Sequence, residues 1–325
     1  MNLALTLNVV GLLLSSNNVM LVPGGDNIAF EIKSNGVIIT GTYDINTSNG
    51  VYNPSNNQDI RKGDIIKEVE GNNIDSLESF INEFNKYLSK DNIDITLYRK
   101  GNKLNKSLKL IKQNDDIKTG LFVKDRLIGI GTVSFYDKEN HIYGALGHEV
   151  YDDTSSSIVE LKTGSIYKSE VIGINNNKKI AEKVADISLE TEVGSILINS
   201  NYGIFGEIDD IPTSYTPIKL ANIEEVSLGK AYIRTVTKGN KIDEYEINIT
   251  SLKPQDNLDI KGIEFDVIDE ELISLGGIYY GMSGSPIIQN NMLVGAVSHV
   301  KSSNRNSGYA LYMEHMYNFA LDQLK

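Results

Sequence analysis

Ser283 sits in the hexapeptide Gly281-Met282-Ser283-Gly284-Ser285-Pro286, a setting that suits a hydroxyl nucleophile. A serine hydroxyl attacks poorly at its own pKa. It needs a base beside it, a third group to orient that base, and two N–H groups aimed at the developing oxyanion. Gly281 permits the unusual turn that would point its own N–H and that of Ser283 into one pocket. Gly284 removes bulk where a substrate main chain must approach. Pro286 opens a short strand over 286–289, Asn290-Asn291 turns, and 293–298 returns as a second strand. Ser285 is the other hydroxyl nearby. The competing reading is a Gly/Ser-rich turn with no chemistry.

The base must come from four histidines. His141 lies in a polar run, at the expected tip of a hairpin. His299 ends the strand after the serine loop and reads as a specificity-pocket residue or, the simpler reading, an ordinary strand-end histidine. His315 falls in the expected C-terminal helix over 313–325. His148 follows Gly144-Ala145-Leu146-Gly147, just after a strand pair that starts at 128, and is the expected base. The order His before Ser, the Ala-x-x-His setting and the hairpin after the serine resemble trypsin-like peptidases. The acid is not selected by spacing: Asp152, Asp153, Asp186, Asp266 and Asp269 all qualify.

These residues need a scaffold. From 119 to 325 short apolar strands recur with Gly and Asn turns between them, the pattern of a β sandwich or a pair of barrels. Residues 27–113 are strand-rich with one helix beginning at Ser76, where Leu77, Phe80, Ile81, Phe84 and Leu88 share one face. The run Gly63-Asp64-Ile65-Ile66, a Gly71-Asn72-Asn73 turn and then this helix resemble a PDZ domain. Such a domain takes an extended peptide along an edge strand beside its helix. Gly36, Val37, Ile38 and Ile39 are the expected edge. The expected linker is 113–118. Residues 22–26 read as a turn, and 1–26 as a signal, an anchor or an extension. The apolar stretch from Leu3 to Leu14 is shorter than the ~20 residues of a membrane span. It fits the core of an export signal, with a buried strand as the other reading.

Composition excludes several classes. The net charge of −12 argues against nucleic acid, because phosphate binding needs a basic face. With no cysteine there is no disulfide, thiol nucleophile or Cys-ligated metal. No metal and no cofactor is expected.

Longer motifs sharpen the reading. Residues 129–137, 143–148, 203–206, 276–290, 295–300 and 307–309 resemble the SpoIVB family of sporulation-signalling serine peptidases across nearly the whole chain. The resemblance implies a mainly β protein: a PDZ domain followed by a chymotrypsin-like double β-barrel. It implies Ser283, His148 and Asp269 as triad, the last because Asp269-Glu270-Glu271-Leu272-Ile273 matches the family's Asp context. Gly281 and Ser283 would form the oxyanion hole. The family members are exported from the forespore into the space between the spore membranes. They cleave themselves and a membrane-bound regulator of an intramembrane protease, which leads to activation of a late mother-cell sigma factor. Two other classes stay open: a quality-control peptidase of the trypsin-with-PDZ kind, and a non-catalytic PDZ scaffold.

Overall fold

In a computed structural model of the chain, described over residues 19–113, 116–152, 157–208, 211–253 and 259–325, the strands close into two rings. The first runs through Asn27–Thr42, Leu121–Asp137, Ile142–Ala145, Gly203–Glu207, Glu192–Ser195 and Leu161–Lys168, and back to the start. The second runs through Gly229–Val236, Ile242–Leu252, Ile263–Val267, Asn304–Tyr312, Met292–Lys301 and Pro286–Gln289, and closes on itself. The protein is mainly β, as expected.

Alternation builds each ring. In Gly229–Val236, Ala231, Ile233 and Thr235 are buried while Tyr232 and Arg234 between them are half-buried. Tyr245, Ile247 and Ile249, then Ile263, Phe265 and Val267, fill the same interior from the next two strands. The first ring is filled by Ile28, Phe30, Ile32, Val133, Ile166 and Ile204. A third cluster joins the rings: Leu21, Phe135, Phe205, Leu220, Leu293 and Leu311, covered by Met316 and Tyr317 of the helix Met313–Leu324.

The strand Met20–Pro23 stitches the rings, with Val22 opposite Tyr136 of the first ring's wall and Met20 opposite Lys219. The expected turn over 22–26 is therefore strand up to Pro23. The turn itself is tight: a Cβ on Gly24 would stand 2.2 Å from the Val133 carbonyl oxygen. Of the expected signal or extension, residues 1–18 lie outside the described residues, and 20–23 belong to the sheet.

Asn27–Thr42 serves two units at once. Residues 28–34 pair with Leu161–Lys168 in the barrel, whereas Val37 and Ile38 pair with Ile65–Val69 of the PDZ-like unit. Gly36, at φ +111°, marks the change of partner. Leu121–Asp137 follows on the other side through both units. The PDZ-like unit thus lies inside a hairpin of the first barrel. The expected division at 27–113 and 119–325 had it wholly in front. Ladder bonds are local, so one strand can change sheets without any break in its apolar pattern. Of the expected linker 113–118, Gln113 and Asp116–Lys118 belong to an antiparallel pair, Ile111–Gln113 against Asp116–Lys118, and 114–115 lie outside the described residues.

The unit's helix, Leu77–Phe84, starts at Ser76. The Ser76 hydroxyl accepts from the Ser79 N–H at 3.2 Å, and the Ser79 hydroxyl accepts from the Ser76 N–H at 3.0 Å. Phe80 joins Val37, Ile39, Val69 and Leu97 in one buried cluster. The expected peptide edge is corrected here. Gly36–Ile39 has neighbours on both sides, Ile66 opposite Val37 and Lys124 opposite Ile38, and the Ile39 N–H donates to the Asp64 carbonyl at 2.8 Å. Residues 121–124 hold the outer position beside the helix, whose Leu77 N–H donates to Asp125 Oδ2 at 2.7 Å.

Candidate active site

The loop that carries Ser283 is pinned peptide by peptide. The Tyr280 carbonyl accepts from the Lys183 N–H at 2.8 Å, and the Met282 carbonyl accepts from the Ser285 N–H at 2.9 Å. A trans peptide points its N–H opposite its carbonyl. These two bonds therefore turn the Gly281 and Ser283 N–H groups to the other side. Neither donates a hydrogen bond among the described residues. The Gly281 carbonyl accepts from the Thr132 hydroxyl at 2.9 Å, and the Ser283 carbonyl from the Thr132 N–H at 3.0 Å. Gly281 and Gly284 have φ of +99° and +91°, and a Cβ on Gly284 would stand 2.1 Å from the Thr132 carbonyl oxygen. The loop is thus a donor pair facing outward. Ser285 is fully buried and its hydroxyl has no partner, which removes it as a competing nucleophile.

His148 comes from the first barrel. Leu146 and Gly147 both take left-handed conformations, φ 72° and 65°, and this sharp turn follows the strand Ile142–Ala145. His148 Nδ1 lies 2.8 Å from the Glu149 carbonyl oxygen. A carbonyl only accepts, so Nδ1 carries the proton and Nε2 keeps its lone pair. Burial holds His148 below the ordinary histidine pKa, which keeps it neutral and basic near pH 7. His148, Gly281 and Ser283 line one cavity of 330 Å³ with Ile130, Lys183 and Tyr280. No hydrogen bond joins His148 to Ser283 in this state.

Asp269 is not brought to this cavity. Its carboxylate caps the short helix Glu270–Ser274, accepting from the Leu272 N–H at 3.0 Å and the Glu246 N–H at 3.5 Å. The expected triad acid is corrected to a helix cap, and the Glu149 carbonyl occupies the place of an orienting acid at His148. Of the other acids, Asp266 accepts from the Ser307 hydroxyl at 2.5 Å. Asp186 lines a separate cavity of 490 Å³ with Asp26, Tyr136 and Ser169, whose lining includes no histidine. Asp153 and the side chain of Asp152 lie outside the described residues.

One site residue, Lys183, escaped the sequence, and another, His299, was set aside as a strand-end residue. The His299 ring stands 5.5 Å from that of His148. Burial first, and then the charges of His148 and Lys261, push His299 down to about 4, and its Nδ1 is buried without a partner. Lys183 is 4% exposed and burial pushes its amine down to about 7. A strand-end histidine and one lysine among many carried no local signal. His141 is exposed at a hairpin tip and His315 lies in the terminal helix, both as expected.

The description "SpoIVB peptidase S55" matches residues 115–317, and "PDZ domain" matches 28–110. No curated protein matches the chain. Among solved structures, the active form of the Rv3671c protease from M. tuberculosis is similar at 11% identity and a TM-score of 0.34, over 59% of this chain and 72% of that one.

Proposed function

The chain belongs to the SpoIVB peptidase S55 family, and from that premise we propose that Ser283 and His148 are its working pair as a serine endopeptidase. Ser283 Oγ forms the bond to the scissile carbonyl carbon while His148 Nε2 takes its proton. The carbonyl oxygen becomes an oxyanion between the Gly281 and Ser283 N–H groups. His148 then gives the proton to the leaving amine, and water releases the acyl group by the same steps in reverse. The Glu149 carbonyl holds the imidazole in the required tautomer. The observation that carries this reading is the meeting of His148 from one barrel and Ser283 from the other in a single cavity, with two unused N–H groups beside the serine.

The family resemblance supports a narrower role. The protein is exported to the space between the two spore membranes, cleaves itself, and cuts a membrane-bound regulator so that a late mother-cell sigma factor is activated. Among the described residues no helix is long and apolar enough to cross a membrane. The test is direct. Purified protein should react with a fluorophosphonate at Ser283 and shorten itself with time, and Ser283→Ala should do neither. A Ser283→Ala chain that shortened at the wild-type rate would sink the assignment.

A further inference from the structure

We propose that Lys183 is a positioning residue of the oxyanion hole, gripping the loop before Ser283 with its main chain at Tyr280 and, through Thr132, with its amine at Gly281. The inference rests on the peptidase reading above and concerns a residue outside the catalytic pair.

The grip comes from a hairpin, Val171–Asn175 and Glu182–Ala185, inserted between two strands of the first barrel. It crosses to the nucleophile loop of the second. The Tyr280 N–H donates to the Ala181 carbonyl at 2.9 Å, and the Lys183 N–H donates to the Tyr280 carbonyl at 2.8 Å. The second bond turns the Gly281 N–H toward the cavity. The lysine stem then packs on Gly281, where an added Cβ would stand 2.8 Å from Lys183 Cβ. The amine ends 3.5 Å from Thr132 Oγ1, whose proton goes to the Gly281 carbonyl at 2.9 Å.

The chemistry of this chain has a direction. An ammonium only donates, so it meets the Thr132 oxygen at a lone pair and leaves the hydroxyl proton for Gly281. A neutral amine can accept that proton instead and turn the hydroxyl away from the carbonyl. A buried ammonium is costly unless it is paired. No carboxylate is hydrogen-bonded to Lys183 among the described residues, which fits burial having lowered its pKa to about 7. Glu182 on the same strand is held by Lys178 at 2.7 Å, and the other titratable groups lining the same cavity are His148, Glu149, Tyr151 and Tyr280. The grip is therefore complete while Lys183 is protonated and loosens as pH rises through about 7.

The rate of fluorophosphonate labelling at Ser283 reads this without a known substrate, using the full chain between pH 5 and 9. Wild type should speed up as His148 loses its proton and slow down above about pH 7. Lys183→Met should label about tenfold more slowly at pH 6.5. It should keep the acid limb and lose the alkaline decline. Thr132→Val should behave the same way, and Thr132→Ser should restore the wild-type rate and profile. Removing a buried charge should leave the melting temperature of Lys183→Met at or above wild type. A Lys183→Met rate within twofold of wild type across the range, or an alkaline decline that survives in it, overturns the proposal. If Lys183→Met does not fold, the wild-type profile decides alone, since no decline between pH 7 and 9 also overturns it. A wild type that never labels defeats the peptidase reading itself, and labelling that ignores Lys183 defeats only this inference.

Discussion

The two barrels hold their working residues in different ways. The serine loop of the second barrel is held mostly by main-chain bonds, one within the loop to Ser285 and others to Thr132 and Lys183 of the first barrel, with Gly281 and Gly284 at positive φ. The first presents His148 on a two-residue left-handed turn with one hydrogen bond to its ring. Its wall is also broken twice, by the PDZ-like unit and by the hairpin that carries Lys183. The serine loop is thus held at many points and the His148 turn at few, and the His148 side is the one tied to the PDZ-like unit. Beyond the two shared strands, the side-chain ties include Lys67 to Glu160 at 2.6 Å, Lys162 to Asp75 at 2.8 Å, and the Asn35 amide to Glu160 at 2.8 Å. Glu160 adjoins Val159, which the Asn199 side chain staples to Val150, two residues past His148.

The contrast can be broken most sharply at Gly284. Gly284→Ala combines a strained φ with a clash against Thr132, and should cost roughly 3 kcal/mol or more. Loss of both the thermal transition and Ser283 labelling is the expected result, and a normally labelled protein would show the loop to be softer than described. His148→Gln should leave stability near wild type and cut labelling by roughly a thousandfold or more. In wild type the labelling rate should rise with pH through a midpoint below the ordinary histidine value of 6.5, because a buried imidazole resists protonation. A midpoint above 6.5 would mean that a carboxylate faces the ring.

Asp269 sharpens the same contrast at smaller scale. Asp269→Ala removes a helix cap and should cost about 1 kcal/mol, while Asp269→Asn, which also caps, should cost only a few tenths. Chemical denaturation measures both. If the Asn variant kept its stability yet lost labelling a thousandfold, the carboxylate would have to reach His148 in a rearranged state. The smallest effect is expected between the units. Glu160 is 58% exposed, so Glu160→Gln should change stability by no more than ~0.5 kcal/mol. A larger change would mean that the PDZ-like unit supports the His148 side of the cavity.

The glycine-framed turn at Ser283, the strand pair before His148, the helix at Ser76 and the mainly β character were all legible in the chain, because each is a local pattern of glycines, periodicity or caps. Asp269 illustrates where such patterns stop: the motif around it is a family context, but a carboxylate before two glutamates is equally a helix cap, and only the fold says which hydrogen bonds it makes. Gly36–Ile39 illustrates the same limit for strands, since period-two burial reports that a strand is buried and not who sits beside it.

The sequence by itself determined that a serine stands in a glycine-framed turn with one histidine suitably placed upstream, since those features depend on residues next to one another. Only the tertiary structure decided that a main-chain carbonyl orients His148, that His299 and Lys183 join the site, and that the PDZ-like unit lies inside a barrel hairpin. Each of those depends on contacts between residues far apart in the chain. Such contacts are set by how barrels close and pack, and closure leaves no mark on any short stretch of residues.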